Sequence, residues 1–344
     1  MRYSIFILRG PSRMGRMTDY CDTYLETSKE ICYNNPLVEI PSYTNCGGIM
    51  AKKSQEYPVI WLQTATCTGC SVSVLNTVSP NIKSVLVDEV IPGKHVNLVF
   101  QATVMAGAGE LAIHAMEDTW HKKKGGYVLV VEGAIPTLGK GQYGSIGEDK
   151  DGKPVAIASR VEAMGHDALA VIALGTCASF GGIPAAHPNP TKCVSVAQLF
   201  KSKNIATPLV NIPGCPPHPD WFVGTVASVL IGGLPKASDL DELLRPKAFY
   251  AHLIHENCPR RAYYDEQKFA KKLSDPGCLY ELGCKGPVTH ADCATRMWNH
   301  GTNWCVASGG MCLGCASEGF PDWVSPLYQK TADVKLPNIA QKVV

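Results

Sequence analysis

Twelve side chains dominate the chemistry open to this chain, and they fall into three groups of four: Cys67, Cys70, Cys177 and Cys215; His255, Cys258, Cys278 and Cys284; and Cys293, Cys305, Cys312 and Cys315. Four thiolates, or three with an imidazole, make the ligand set of a cubane iron–sulfur cluster. Three such sets in one chain form a wire for single electrons. The first set begins Thr66-Cys67-Thr68-Gly69-Cys70-Ser71, ahead of an expected helix. The N–H groups and dipole at that helix end favour anionic sulfur, and Gly69 lets the main chain approach closely. Cys177 and Cys215 sit in the glycine-bearing segments Gly175-Thr176-Cys177 and Pro213-Gly214-Cys215-Pro216-Pro217. In the second set, His255-x-x-Cys258 replaces one thiolate by imidazole. That removes negative charge and raises a cluster's reduction potential. It also suits a cluster near the surface, where an outside redox partner is met. His252 is the competing imidazole.

Blander readings exist for each group. Free cysteines are often simply buried, but a cysteine in each of three strand-end loops argues against that for the first set. Cys305 to Cys315 taken alone could hold zinc, and a zinc-stabilised interaction protein is the rival that follows. One zinc site would leave the other eight ligands unexplained. Cys21, Cys32, Cys46 and Cys193 are left over. They lack a compact ligand spacing, so plain thiols are expected there rather than a fourth cluster.

The elements that must position these residues alternate regularly. Residues 58–63 read as a buried strand, followed by a helix over 71–79. A second strand is expected over 85–90, and a helix over 109–123 with Leu111, His114, Ala115 and Met116 on one face. Residues 127–132 read as a third strand. A glycine-rich loop (139–152), a helix near 156–165 and strands over 169–174 and 208–212 follow, with helices near 194–201 and 220–231. Near-continuous apolar strands alternating with helices imply an α/β fold with a parallel sheet covered on both faces. Ligands of such sheets gather at the carboxyl ends of the strands. The loops leaving strands one, four and five carry Cys67 and Cys70, Cys177, and Cys215, which assembles the first set at one edge. From about residue 241 aliphatic runs give way to Cys, Gly, Pro, Trp and Tyr. A small, irregular domain ordered by metal–thiolate bonds is expected there. The expected division is 1–57 extension, 58–240 sheet domain with the first cluster, 241–330 cluster domain and 331–344 tail.

Bulk composition excludes several classes. With 344 residues, 45% apolar content and a formal net charge of +2, the chain has a real core and no basic stripe for nucleic acid. Fifteen cysteines are too few for a small disulfide scaffold of this length. Gly107-Ala108-Gly109 lacks the full dinucleotide fingerprint, and there is no Walker loop. No apolar run reaches the ~18 residues of a membrane span, and neither a secretory nor a twin-arginine signal is visible. A cytoplasmic location is the expectation.

The ordered motifs resemble the small subunit of a nickel–iron hydrogenase. They are Trp61-Leu62-Gln63, Cys67-Thr68-Gly69-Cys70-Ser71, Val131-Glu132-Gly133-Ala134-Ile135-Pro136, Gly175-Thr176-Cys177 and Pro213-Gly214-Cys215-Pro216-Pro217-His218-Pro219. Ile254-His255-Glu256-Asn257-Cys258-Pro259, Gly283-Cys284-Lys285-Gly286-Pro287 and Cys312-Leu313-Gly314-Cys315 continue the series. The resemblance spans residues 58–328 and implies a flavodoxin-like first domain. It makes the first set the proximal [4Fe–4S] site, the His255 set the distal one and the last set the medial one. Many relatives have a medial [3Fe–4S] cluster, with proline at the fourth ligand position. Cys305, in Asn303-Trp304-Cys305, resembles the nickel–iron–selenium and actinobacterial-type branches and implies a medial [4Fe–4S] instead. Gly69 stands where relatives with an oxygen-tolerant proximal cluster carry cysteine, and Thr66 where many have glutamate. Glu132, Thr176 and Pro216 are expected around the first cluster.

The resemblance further implies a large-subunit partner holding the Ni–Fe centre, so no catalytic residue is expected in this chain. An external acceptor (quinone, cytochrome or other carrier) and a dimer of heterodimers or larger assembly follow from it. The Val72-Ser73-Val74-Leu75-Asn76 run is similar to uptake enzymes working on the cytoplasmic side, peripheral to the inner face of the membrane through a partner. A quinone-reductase-type protein is the nearer rival. It would share the sheet half but carry one cluster and lack the residues after 241.

Overall fold

A parallel sheet of five strands organises the first half of the computed structural model, which describes residues 55–78, 80–86, 93–149, 151–324 and 327–330. The chain divides between Lys52 and Lys53, and the described residues belong to the second unit. The extension up to residue 54, with Cys21, Cys32 and Cys46, and the tail 331–344 lie outside the described residues. The strands are β1 (Gln55–Gln63), β2 (Lys94–Gln101), β3 (Val128–Glu132), β4 (Ala170–Leu174) and β5 (Leu209–Ile212). Their spatial order is β2-β1-β3-β4-β5, with every pairing parallel.

Strand side chains alternate between faces, and the core divides accordingly. Ile60, Leu62, Leu129, Val131, Val171 and Ala173 pack on one face. They meet α3 (Gly109–Lys122), α4 (Ile157–Asp167) and α6 (Val196–Lys203), introduced here with α1 (Gly69–Leu75), α2 (Ile82–Leu86), α5 (Thr176–Phe180) and α7 (Pro219–Gly232). Val59, Trp61, Val130, Ile172, Leu174, Val210 and Ile212 form the other face. They pack with Val74 of α1, with Trp221 and Phe222 of α7, and with Tyr250, Ile254, Leu279 and Trp304 from beyond residue 240. All five residues of β4 are buried, as a strand covered on both faces requires.

Beyond residue 240 the chain runs through single turns: Lys247–Tyr250, Ile254–Asn257, Arg261–Asp265, Leu279–Leu282, Gly286–Val288, Cys293–Arg296 and Asp322–Val324. This is the irregular, cysteine-bearing segment expected there. Among the described residues no helix is long and apolar enough to cross a membrane.

Three expectations are corrected. The second strand is β2, at 94–101; Val85 lies in α2, and residues 87–90 lie outside the described residues. A six-residue run such as 85–90, broken by Asp88 and Glu89, cannot separate helix from strand by its pattern. The true strand sits at the sheet edge and mixes His95, Asn97 and Gln101 into its sequence, which hides its period. The buried face of α3 is Ala112 and Met116, with Trp120 partly buried, whereas Leu111 is 73% exposed and His114 is exposed too. Within 139–152 the chain forms a strand, Ser145–Glu148, which pairs antiparallel with Pro154–Ala156.

Candidate iron–sulfur sites

The first set assembles where the sheet topology directs it. Cys67 and Cys70 leave β1, Cys177 lies in α5 after β4, and Cys215 follows β5. Their thiols are close enough to interact electrostatically: Cys70 senses Cys177, Cys215 and Cys67, and Cys177 senses Cys215 and Cys67. Local backbone geometry makes room for the sulfur. Gly175 has φ +88°, and a Cβ there would lie 2.4 Å from the Cys70 Sγ. Gly214 has φ +148°, and its Cβ would lie 2.5 Å from the Cα of Pro217. Only glycine fits either place. Thr176 ties the loops together. Its Oγ1 accepts from the Gly214 N–H at 2.9 Å and donates to the Cys315 carbonyl.

Glu132 closes this site from beneath. It ends β3, is fully buried, and accepts from Ser71 Oγ at 2.5 Å, Trp61 Nε1 at 2.9 Å, the Ser71 N–H at 3.2 Å, and Gln63 Nε2 and Thr66 Oγ1 at 3.3 Å each. Gln101 Nε2 donates to the Ser71 hydroxyl at 2.8 Å. A buried carboxylate needs such partners. The motif around Glu132 was readable from the sequence. Ser71 and Gln101 as its supports were not, because neither has a diagnostic spacing.

The second set lines one pocket, where His255, Cys258, Cys278 and Cys284 meet Ile254, Tyr280 and Pro287. Arg260 braces it by donating to the carbonyls of Gly277 at 2.7 Å and Asp275 at 3.2 Å. The His255 ring meets Tyr264 edge-on at 4.5 Å. Burial, and then the Arg261 guanidinium, hold the imidazole below its ordinary pKa and keep it neutral, the form that ligates metal. His252 is exposed and bonds Glu256 Oε2 at 2.9 Å, whereas His255 lines the pocket with the three cysteines.

The third set joins Cys293, Cys305, Cys312 and Cys315. Cys293 senses Cys315 and Cys305, and accepts a hydrogen bond from the Trp298 side chain. The Gly314 N–H reaches the Cys312 Sγ at 3.4 Å. Cys305 is exposed, whereas Cys312 is buried. This set also touches both others. Cys315 senses Cys215 and accepts from its backbone N–H, and Cys312 senses Cys284. The order in space is therefore first, third, second.

Burial pushes the thiols up. Cys177, Cys284 and Cys315 reach about 11, and Cys70, Cys293 and Cys312 are driven higher still. For Cys70 the Glu132 carboxylate adds to burial, followed by the neighbouring thiols. Such groups ionise only if cationic metal supplies the missing charge. Among the described residues no three His, Cys, Asp or Glu side chains converge closely enough to hold a single metal ion. Cys193, the described free thiol outside the three sets, stands apart, buried beside Thr191 Oγ1 at 3.2 Å.

Comparison with known proteins gives a consistent result. The family model for the C-terminal part of the NiFe/NiFeSe hydrogenase small subunit matches residues 250–328, and that for the NADH ubiquinone oxidoreductase 20 Kd subunit matches 67–229. The periplasmic [NiFeSe] hydrogenase small subunit of Desulfomicrobium baculatum is 45% identical over 287 residues, covering 81% of this chain and 89% of that protein. The crystal structure of the reduced, active Ni-Fe-Se hydrogenase from the same organism matches with TM-score 0.75, covering 80% of this chain and all of that one. The actinobacterial-type NiFe-hydrogenase from Ralstonia eutropha H16 is 32% identical with TM-score 0.74, covering 84% of each chain.

Proposed function

Since the chain belongs to the family of NiFe and NiFeSe hydrogenase small subunits, we propose that its three ligand sets hold three [4Fe–4S] clusters in series. The chain is the electron-transfer small subunit of a heterodimeric hydrogenase, an oxidoreductase complex whose partner is the large subunit. Small subunits of this family carry iron–sulfur clusters. Cys67, Cys70, Cys177 and Cys215 would hold the proximal one. Cys293, Cys305, Cys312 and Cys315 would hold the medial one, and His255, Cys258, Cys278 and Cys284 the distal one. When bound, the clusters take electrons one at a time from H2 oxidation at the partner's Ni–Fe centre and pass them toward an outside acceptor. The protein supplies spacing, insulation and charge.

The observation that carries this reading is the adjacency of the sets, with Cys315 beside Cys215 and Cys312 beside Cys284. A zinc protein needs no such file. The quinone-reductase-type alternative accounts for residues 67–229 and leaves 250–328 unexplained.

The division at 240–241 separates the part that uses sheet loops as ligands from the part built on turns. The partner's docking face is proposed beside the first set, where Val72, Leu75 and Val78 are exposed together with Cys67. A quinone, cytochrome or other carrier would meet the His255 end, and a dimer of heterodimers is the assembly proposed. A cytoplasmic site, peripheral to the inner membrane face through a partner, belongs to the same proposal. Cell fractionation tests it, and recovery from the periplasm would overturn it.

The central test is anaerobic purification with the large chain, then iron and acid-labile sulfide analysis and H2-dependent dye reduction. About four iron per set is expected. About three at the Cys305 set would make the medial cluster [3Fe–4S]. Zinc without sulfide would sink the proposal.

A further inference from the structure

Lys285 is a cation buried where two ligand sets meet. It is 2% exposed, although lysine almost never is so buried without a partner. Burial works against its charge, and the thiol of Cys284, its neighbour in the second set, works for it. Its backbone N–H donates to the Cys312 carbonyl of the third set at 2.8 Å. Its ammonium lies 5.9 Å from the centre of the Trp323 ring. The loop between Cys312 and Cys315 rests directly on it. A Cβ on Gly314, whose φ is +70°, would fall 3.0 Å from the Lys285 Cβ and 2.5 Å from Trp323 Cζ2.

No carboxylate pairs with Lys285 in any ion pair of the described residues; Arg245 and Arg296, by contrast, each have aspartates. A charge held in such surroundings needs an anion. The anions at hand are ligand thiolates: Cys284 beside it in the chain, and those of the third set, whose Cys312 carbonyl it bonds and whose loop packs on its stem. Each one-electron reduction adds a negative charge to a cluster site, and a fixed cation nearby stabilises that added charge. Net charge is one of the quantities that set cluster potentials.

We propose that Lys285 is the shared counter-cation of the second and third ligand sets, a positioning residue that raises the reduction potential of both clusters and leaves the first cluster untouched. The inference rests on the iron–sulfur reading above. It adds a residue that ligates nothing but fixes the electrical level at the outer end of the relay. The Gly314 loop packs on its stem, and the Trp323 ring lies beside its ammonium.

The test is a redox titration of the complete anaerobic heterodimer, followed by electron paramagnetic resonance. In Lys285→Met the reduced-to-oxidised ratio of the second and third clusters at fixed potential should fall about tenfold, which is 59 mV for one electron. The first cluster should keep its potential and serves as the internal reference. Lys285→Arg should keep all three potentials near the parent. Should Lys285→Met load no iron, Lys285→Gln is titrated instead. Loss of iron from both while Lys285→Arg stays loaded also supports the charge. Parental potentials in Lys285→Met or Lys285→Gln, or an equal shift at all three clusters, overturn it. Failure of the underlying reading looks different: the parent protein itself would contain no acid-labile sulfide.

Discussion

The sheet half and the segment beyond residue 240 solve the same problem by different means. In the sheet half, two apolar layers clamp five strands, and the ligand cysteines are carried at strand ends as passengers on a scaffold ordered by hydrocarbon. Beyond residue 240 the elements are single turns, and two complete ligand sets lie among them. That segment joins the larger core through Tyr250, Ile254 and Trp304, but among the described residues it has no sheet of its own. Burial of apolar surface stabilises the first region; on the proposed reading the second relies on metal as well. A ligand loop on a scaffold can lose its cluster and leave the fold standing, whereas a segment folded around clusters cannot.

The strongest way to break this contrast is to remove iron. After anaerobic chelation, hydrogen exchange should show protection collapsing over 241–330 while β1, β3 and β4 stay protected. Equal loss in both regions would refute the contrast. Next in size is Gly175→Ala. With its Cβ 2.4 Å from the Cys70 Sγ, the first site should lose about four iron per chain while the second and third keep theirs, as read by iron analysis and cluster spectra. Met116→Ala, in the sheet core and fully buried, should cost about 2–5 kcal/mol in denaturant unfolding of the sheet half with no change in iron content.

Cys305→Ser should be gentler, because Cys305 is exposed and buries little. One iron is expected to leave the third site, with a [3Fe–4S] signal replacing the [4Fe–4S] one. The smallest effect belongs to Asp167, whose carboxyl is held below its ordinary pKa by Lys124, with Trp120 adding a hydrogen bond. A depressed folded value gives stability that is present above the unfolded pKa of about 3.9 and is lost as pH falls through the folded one. Asp167→Asn should therefore cost about 0.2–1 kcal/mol at neutral pH, with the difference from the parent vanishing in acid.

Legibility in the sequence followed the same divide. Four strands of the sheet were readable because fully buried parallel strands are apolar throughout, as 170–174 is. The edge strand 94–101 was not, since one side of it is unpaired and its polar residues mask the pattern. Candidate ligand residues could be singled out along the whole described chain, because metal chemistry narrows the choice to cysteine and histidine. Their supports were harder to see. Ser71, Gln101 and Lys285 act through tertiary contacts at separations of 30 residues and more, or in Lys285's case through burial, and no local spacing announces either.

The Thr176 hydroxyl, held between the Gly214 amide and the Cys315 carbonyl, has a mechanical meaning. Tunnelling between redox centres weakens exponentially as the gap widens. With clusters bound at the first and third sets, the Thr176 bridge, together with the Cys215 N–H on the Cys315 sulfur, would hold that gap at one length.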